Sequence, residues 1–169
     1  MAMRDVFLAE FDHEMANTRR TLERVPEAKF DWRPHQKSFT MQALASHLAN
    51  IPAWTEMTLN QDSLDMSPDG ETQFQTPQAK STAELLKFFD ENVAAARKAI
   101  SDTSDEGFQQ VWTLLKAGEA VFAMPKAAVL RSFILNHNVH HRAQLTVYLR
   151  LNDVPVPAIY GQSADEAGM

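Results

Sequence analysis

Apolar residues recur along this chain at three- and four-residue steps, the spacing of a helix face turned toward a core. In the first such stretch, residues 4–24, Phe7, Phe11, Thr18, Leu22 and Val25 share a face, and Pro26 ends the run. Glu14 falls on the same face, while His13 points away from it. A buried carboxylate is costly unless paired or hydrogen-bonded. Glu14 is therefore either solvated at the helix edge or kept for an acid–base or supporting role. Residues 26–39 read as a loop, because Pro34 disfavours helix at Arg33, and Phe30 and Trp32 are placed to plug the end of the core. A second helix starts near Ser38–Thr40, whose hydroxyls suit an N-cap, and puts Leu44, His47, Ile51 and Trp54 on one stripe. Pro52 interrupts that pattern and predicts a kink or a local break.

Residues 61–80, with Pro68, Gly70 and Pro77 among polar side chains, form a long connection that suits a crossover between helices. Ser81 and Glu84 make a capping box for a third helix running to about Ser101, with Leu85, Phe88, Phe89, Asn92, Ala96 and Ala99 inward. Residues 102–124 allow a small hairpin around Lys116-Ala117-Gly118-Glu119 or a helical turn. Pro125 suits the first position of a last helix that reaches about Leu151. The tail, Val154 through Gly161, is extended by its prolines and apolar enough to dock, and residues 162–169 read as flexible. Four amphipathic helices and one long crossover, with no repeat or dividing linker, predict an all-α four-helix bundle. It forms a single domain over residues 1–169, with the hairpin before the last helix left open.

Size and composition narrow the function. A chain of 169 residues, 44% hydrophobic and 22% charged, can bury a core without cross-links. It has no Cys, so any metal must be held by His, Asp or Glu, and any thiolate must arrive as a small molecule. The net charge of −6 argues against nucleic acid, which needs a basic patch. No run approaches 18 apolar residues and Met1-Ala2-Met3-Arg4-Asp5 lacks an apolar signal core, so no membrane partner and a soluble cytoplasmic setting are expected.

The stretch Asn136-His137-Asn138-Val139-His140-His141-Arg142-Ala143-Gln144 carries the candidate chemistry. At about 100° per residue, His137 and His141 lie roughly 40° apart on one face. Leu130, Phe133, Ile134, Gln144 and Tyr148 share that face, which turns the two imidazoles inward, with His140 at its edge and Arg142 pointing away toward the surface or a dimer interface. Histidines at i and i+4 are neighbours and can converge on one metal ion. They can equally form a hydrogen-bonded core pair. A metal needs a third ligand, and His47 on the stripe of the second helix supplies a candidate, as well as having an ordinary core reading. Trp54 is a possible cavity wall or a core residue. Gln144 can orient a ligand or bond to a neighbouring helix.

A histidine in the second helix, His-x3-His-Arg-x-Gln in the fourth, Trp32-Arg33-Pro34 and the Val156-Pro157-x-x-Tyr160-Gly161 tail together resemble the DinB/YfiT-like family, whose members are regarded as metalloenzymes. The resemblance covers nearly the whole chain. It implies a four-helix bundle in which three histidines bind a divalent metal, often nickel or zinc. Carried onto this sequence, those histidines are His47, His137 and His141; His140 matches a variable position and is not carried over. Ala143 departs from the commoner His-Arg-Gly-Gln, a change that bears on helix packing. The resemblance also implies homodimers and an intracellular setting. The better-understood relatives are thiol-dependent transferases and isomerases using mycothiol or bacillithiol, and many members have no assigned reaction.

Three imidazoles leave a divalent ion with open positions, and such an ion lowers the pKa of a bound water or thiol. With the resemblance, this makes thiol-cofactor-dependent transfer to a small electrophile the expected function. The alternatives are a metal-dependent hydrolase and a non-catalytic, stress-related metal- or ligand-binding bundle. The expected cofactors are nickel or zinc and a low-molecular-weight thiol, and the partners are a small-molecule substrate and a second copy of the chain.

Overall fold

The computed structural model describes residues 2–71 and 75–167 of the chain. Helix α1 (Met3–Leu22) buries Phe7, Phe11, Met15 and Leu22, on the face the spacing marks. Thr40 caps α2 (Met41–Asn50), its hydroxyl oxygen accepting from the Ala43 N–H at 3.1 Å. The stripe through Trp54 breaks at Ile51–Pro52, because proline has no N–H to continue the ladder, and a separate helix α3 (Ala53–Asn60) resumes it. Ser81 caps α4 (Thr82–Asp102) by accepting from the Glu84 N–H, and a short α5 (Asp105–Gln109) follows. The last helical element has three parts: α6 (Lys126–Val129), a π-helical stretch (Leu130–Asn136) and α7 (His137–Arg150). Helices α1 and α2 each pack against both α4 and α7, around a core in which Phe11, Leu48, Phe89, Leu130 and Leu149 are fully buried.

The all-α expectation is overturned. The chain is mixed, with a three-stranded sheet beside the helices. Strand β1 (Ser63–Asp65) lies inside the polar connection and pairs in parallel with β2 (Val111–Lys116), which pairs antiparallel with β3 (Glu119–Pro125). Residues 111–125 thus fold as the hairpin and not as the helical turn. Ala117 and Gly118 both have positive φ, 52° and 78°, the turn geometry that matches the twist of paired strands. The Asp65 carboxylate accepts the N–H groups of Ser67, Ala117 and Gly118, which ties β1 to that turn. Along β2 the sides alternate, with Trp112 and Leu114 buried and Val111 exposed. Trp112 and Leu114 form a second apolar cluster with Val129, against which Trp54, Phe122 and Met124 pack. Pro125 ends β3 and leaves the first helical position to Lys126, whose buried Nζ donates to the Leu59 carbonyl at the end of α3, 3.1 Å away. A cation there suits the negative end of the helix dipole.

The face that the last helix buries also differs from the expected one. In α7 the buried residues are Asn138, Arg142, Leu145, Tyr148 and Leu149. The histidines lie beside that stripe rather than at its centre, at the rim of the core, and Phe133 and Gln144 are exposed. A π stretch holds one residue more per turn than the pattern assumes, so the stripe does not run through it in a straight α-helical line.

The tail docks through Val154 and Val156 on the main core, and Ala158 is buried. Of the segment read as flexible, residues 162–167 are described: Asp165 pairs with Arg150, Glu166 pairs with Arg24, and Ser163 Oγ donates to the Val156 carbonyl at 2.7 Å. Residues 168 and 169 lie outside the described residues. Among the described residues no helix is long and apolar enough to cross a membrane.

Candidate metal centre

Helix α2 carries His47, and α7, packed against α2, begins at His137 and carries His141 one turn on. The three rings are half-buried, and their Nε2 atoms face one another: His47 to His137 at 3.3 Å and His137 to His141 at 2.8 Å. Among the described residues this is the one group of three potential ligands whose donor atoms lie within 4.8 Å of one another. Two nitrogens each about 2.0–2.1 Å from a common ion stand roughly 2.9 Å apart at a right angle and roughly 3.3 Å apart at the tetrahedral angle. The separations match that range.

The other nitrogen of two rings decides how the hydrogens lie. His137 Nδ1 meets the Phe133 carbonyl at 3.3 Å, and His141 Nδ1 meets Gln144 Oε1 at 2.8 Å. A carbonyl oxygen only accepts, so in each ring the hydrogen sits on Nδ1 and the lone pair on Nε2. Two lone pairs then face each other across 2.8 Å. Such an arrangement is repulsive unless a ring takes a second proton or a cation stands between them. Burial opposes the proton. It holds His137 and His141 below the ordinary imidazole value, against the raising effect of their Phe133 and Gln144 hydrogen bonds. Burial, with the neighbouring His141 and His137, takes His47 down to about 4. The donor set is thus neutral, unprotonated on the converging side and chemically suited to a divalent transition metal.

The remaining sequence-picked residues fall elsewhere or act differently. Gln144 is exposed and fixes the His141 ring through Nδ1, rather than bonding to a neighbouring helix. His140 is exposed, with its ring centroid 4.9 Å from that of His141. Trp54 is half-buried between the two apolar clusters and does not line the cavity beside His47. Glu14 is neither solvated nor part of the histidine group.

Glu14 instead meets Arg142, the residue the periodicity turned outward. Arg142 is 2% exposed, and its Nη2 donates to Glu14 Oε2 at 2.5 Å. Its Nη1 donates to the Glu14 carbonyl at 2.9 Å and to Thr18 Oγ1 at 3.2 Å. Thr18 Oγ1 donates in turn to Asn138 Oδ1. Tyr160 from the tail donates to both Glu14 oxygens, at 2.9 and 2.8 Å, and accepts from Arg142. Burial and the Glu14 hydrogen bond raise the Tyr160 hydroxyl above its ordinary pKa. A polar network therefore joins α1, α7 and the tail through the residues next to His137 and His141. One signal for it was legible: a carboxylate on a buried stripe requires a cation, and Arg142 is in phase with Leu145 and Leu149.

The DinB family model matches residues 1–168. A DinB-like protein from Bacillus cereus ATCC 10987 superposes with a TM-score of 0.70 at 20% identity, covering 94% of this chain and 98% of that one. A DinB-like protein, YjoA, from Bacillus subtilis superposes with a TM-score of 0.67 at 15% identity, covering 89% and 95%. At these identities the likeness is one of fold. A search of curated proteins finds no significant match.

Proposed function

The chain belongs to the DinB family, and from that premise we propose that it is a divalent-metal enzyme transferring a low-molecular-weight thiol to a small electrophile at His47, His137 and His141. The observation that carries the metal is the convergence of the three ring nitrogens, with His137 and His141 Nε2 2.8 Å apart while their Nδ1 atoms face the Phe133 and Gln144 carbonyl oxygens. Nickel or zinc suits three neutral imidazoles. Such an ion, when bound with an open position, lowers the pKa of a thiol so that thiolate forms near neutral pH. The chain's own part is to hold the three rings unprotonated and aimed, with Gln144 and the Phe133 carbonyl fixing two of them.

The thiol reading is favoured over hydrolysis by Glu14. Hydrolysis here would rest on metal-bound water without Glu14 as its base, because that carboxylate is bound to Arg142 and Tyr160. The transfer forms a sulfur–carbon bond as the electrophile's leaving group departs with its electron pair, and the thiol proton passes to solvent. The test begins with metal analysis of protein purified without chelators, where about one ion per chain is expected. Turnover of electrophiles is then assayed with and without added thiols. Turnover that is metal-dependent yet indifferent to thiol would replace this reading with hydrolysis.

A further inference from the structure

We infer that Thr18 is a positioning residue of the metal centre: with Glu14 it fixes the rotation of α7 about its own axis and so sets how tightly His47, His137 and His141 hold an ion. The inference rests on the metal reading above and is independent of the thiol.

Each ligand of α7 is followed by a residue tied to α1. Asn138, after His137, accepts from Thr18 Oγ1 through its Oδ1 at 2.5 Å. Arg142, after His141, donates to Thr18 Oγ1 at 3.2 Å and to the Glu14 carbonyl and carboxylate at 2.9 and 2.5 Å. The two attachments lie one helical turn apart on both helices, and the Thr18 hydroxyl belongs to each. Thr18, Asn138 and Arg142 are at most 2% exposed, so bulk water does not replace a lost partner. The Tyr160 hydroxyl closes the arrangement from the tail by donating to Glu14 and accepting from Arg142.

This placement acts on the histidines through helix geometry. Consecutive residues lie about 100° apart around a helix. With Asn138 and Arg142 held on α1, the rings one residue earlier are turned by that angle toward α2, where His137 meets His47. The chain upstream does not set this phase. The π stretch Leu130–Asn136 ends immediately before His137, and its wider turns break the α-helical phase carried from α6.

Magnitudes show why the phase matters. At a side-chain radius of about 5–6 Å, a rotation of roughly 10° carries a ring nitrogen about 1 Å. Metal–ligand distances tolerate only about ±0.2 Å. A slip that side-chain packing absorbs is therefore large for the centre. A buried ion pair also adds little net stability over well-packed apolar side chains. Fixing the phase of α7 is what these polar groups contribute beyond packing.

The test is zinc affinity of the full chain, measured by chelator competition alongside thermal unfolding. Thr18→Val keeps the branched shape and deletes the hydroxyl. It should bind zinc about tenfold more weakly, the low end of the effect of losing a ligand's own hydrogen-bond partner. Thr18→Ser keeps the hydroxyl and should stay within about threefold of the parent. Ile100→Val, an apolar trim in α4 of comparable cost to the fold, should bind zinc like the parent. Unchanged zinc affinity in folded Thr18→Val overturns the inference. A loss shared equally by Thr18→Ser or by Ile100→Val overturns it too, because the hydroxyl is then not its cause. Should Thr18→Val not fold, Tyr160→Phe, whose ring is 65% exposed, takes its place. There a loss of about threefold or more supports the inference and unchanged affinity overturns it. A parent chain that binds no zinc instead overturns the metal reading, and the positioning role with it.

Discussion

The Arg142 guanidinium donates to the Glu14 carboxylate at 2.5 Å, with both side chains at least nine-tenths buried. The pair links α1 to α7 at the position that follows His141. Removing one member strands the other charge inside the protein, so Arg142→Ala is expected to cost roughly 3–5 kcal/mol. Replacing both together, Glu14→Leu with Arg142→Met, removes the stranded charge and should leave stability near the parent's. Urea unfolding of the two variants checks this. A single variant as stable as the parent would show that the pair contributes nothing to the fold.

That pair marks where the sequence could and could not be read. The spacing of His137 and His141, and the stripe that carries His47, follow from local helical periodicity, and both lead to one cluster. Arg142 and Asn138 did not read as inward because the stripe drawn through Leu130, Phe133 and His137 leaves them off its face. Their burial depends on partners 128 and 120 positions away in the chain. Strand β1 was invisible for a similar reason: three residues cannot display alternation, and its partner lies about fifty positions later. The π stretch before His137 has no compositional mark and shifts the buried face. Local pattern thus revealed the ligand candidates, while long-range pairing set how they are held.

His47→Ala should abolish tight metal binding while leaving a folded chain. The ring is half-buried at the rim of the core, so its loss opens no large apolar cavity, yet it removes one of three donors. Metal content by elemental analysis is expected to fall to near zero with the far-ultraviolet circular dichroism unchanged. Full metal occupancy in this variant would remove His47 from the site.

Acid should weaken the metal-free chain in a defined window. Burial holds all three imidazoles below their ordinary value of 6.5, His47 at about 4. The unfolded chain therefore takes up protons first, and the state that binds more protons is favoured as pH falls. Stability contributed by the neutral rings is complete above about 6.5 and declines as pH drops through about 4. Protons compete with metal only where the folded rings protonate, so zinc release should have its midpoint below the ordinary imidazole value. Thermal unfolding of the apo chain and dialysis of the zinc-loaded chain across this range test both statements. A release midpoint at or above about 6.5 contradicts the second.

Gln144 offers the sharpest test of how the centre is held. Its Oε1 accepts from His141 Nδ1 at 2.8 Å, and this bond keeps the His141 lone pair on the converging nitrogen. Gln144→Leu deletes the acceptor and lets the ring rotate or change tautomer. Losing such a partner typically lowers metal affinity by about 10–100-fold. The side chain is exposed, so its replacement should hardly affect fold stability. Gln144→Glu keeps an acceptor at the same place and adds negative charge beside the imidazole, so affinity should return to the parent level or exceed it. A glutamine that merely covers the surface predicts no change in either variant, whereas one that aims His141 predicts loss in the first and recovery in the second. Competition with a chromogenic zinc chelator separates the two outcomes without requiring any knowledge of the substrate.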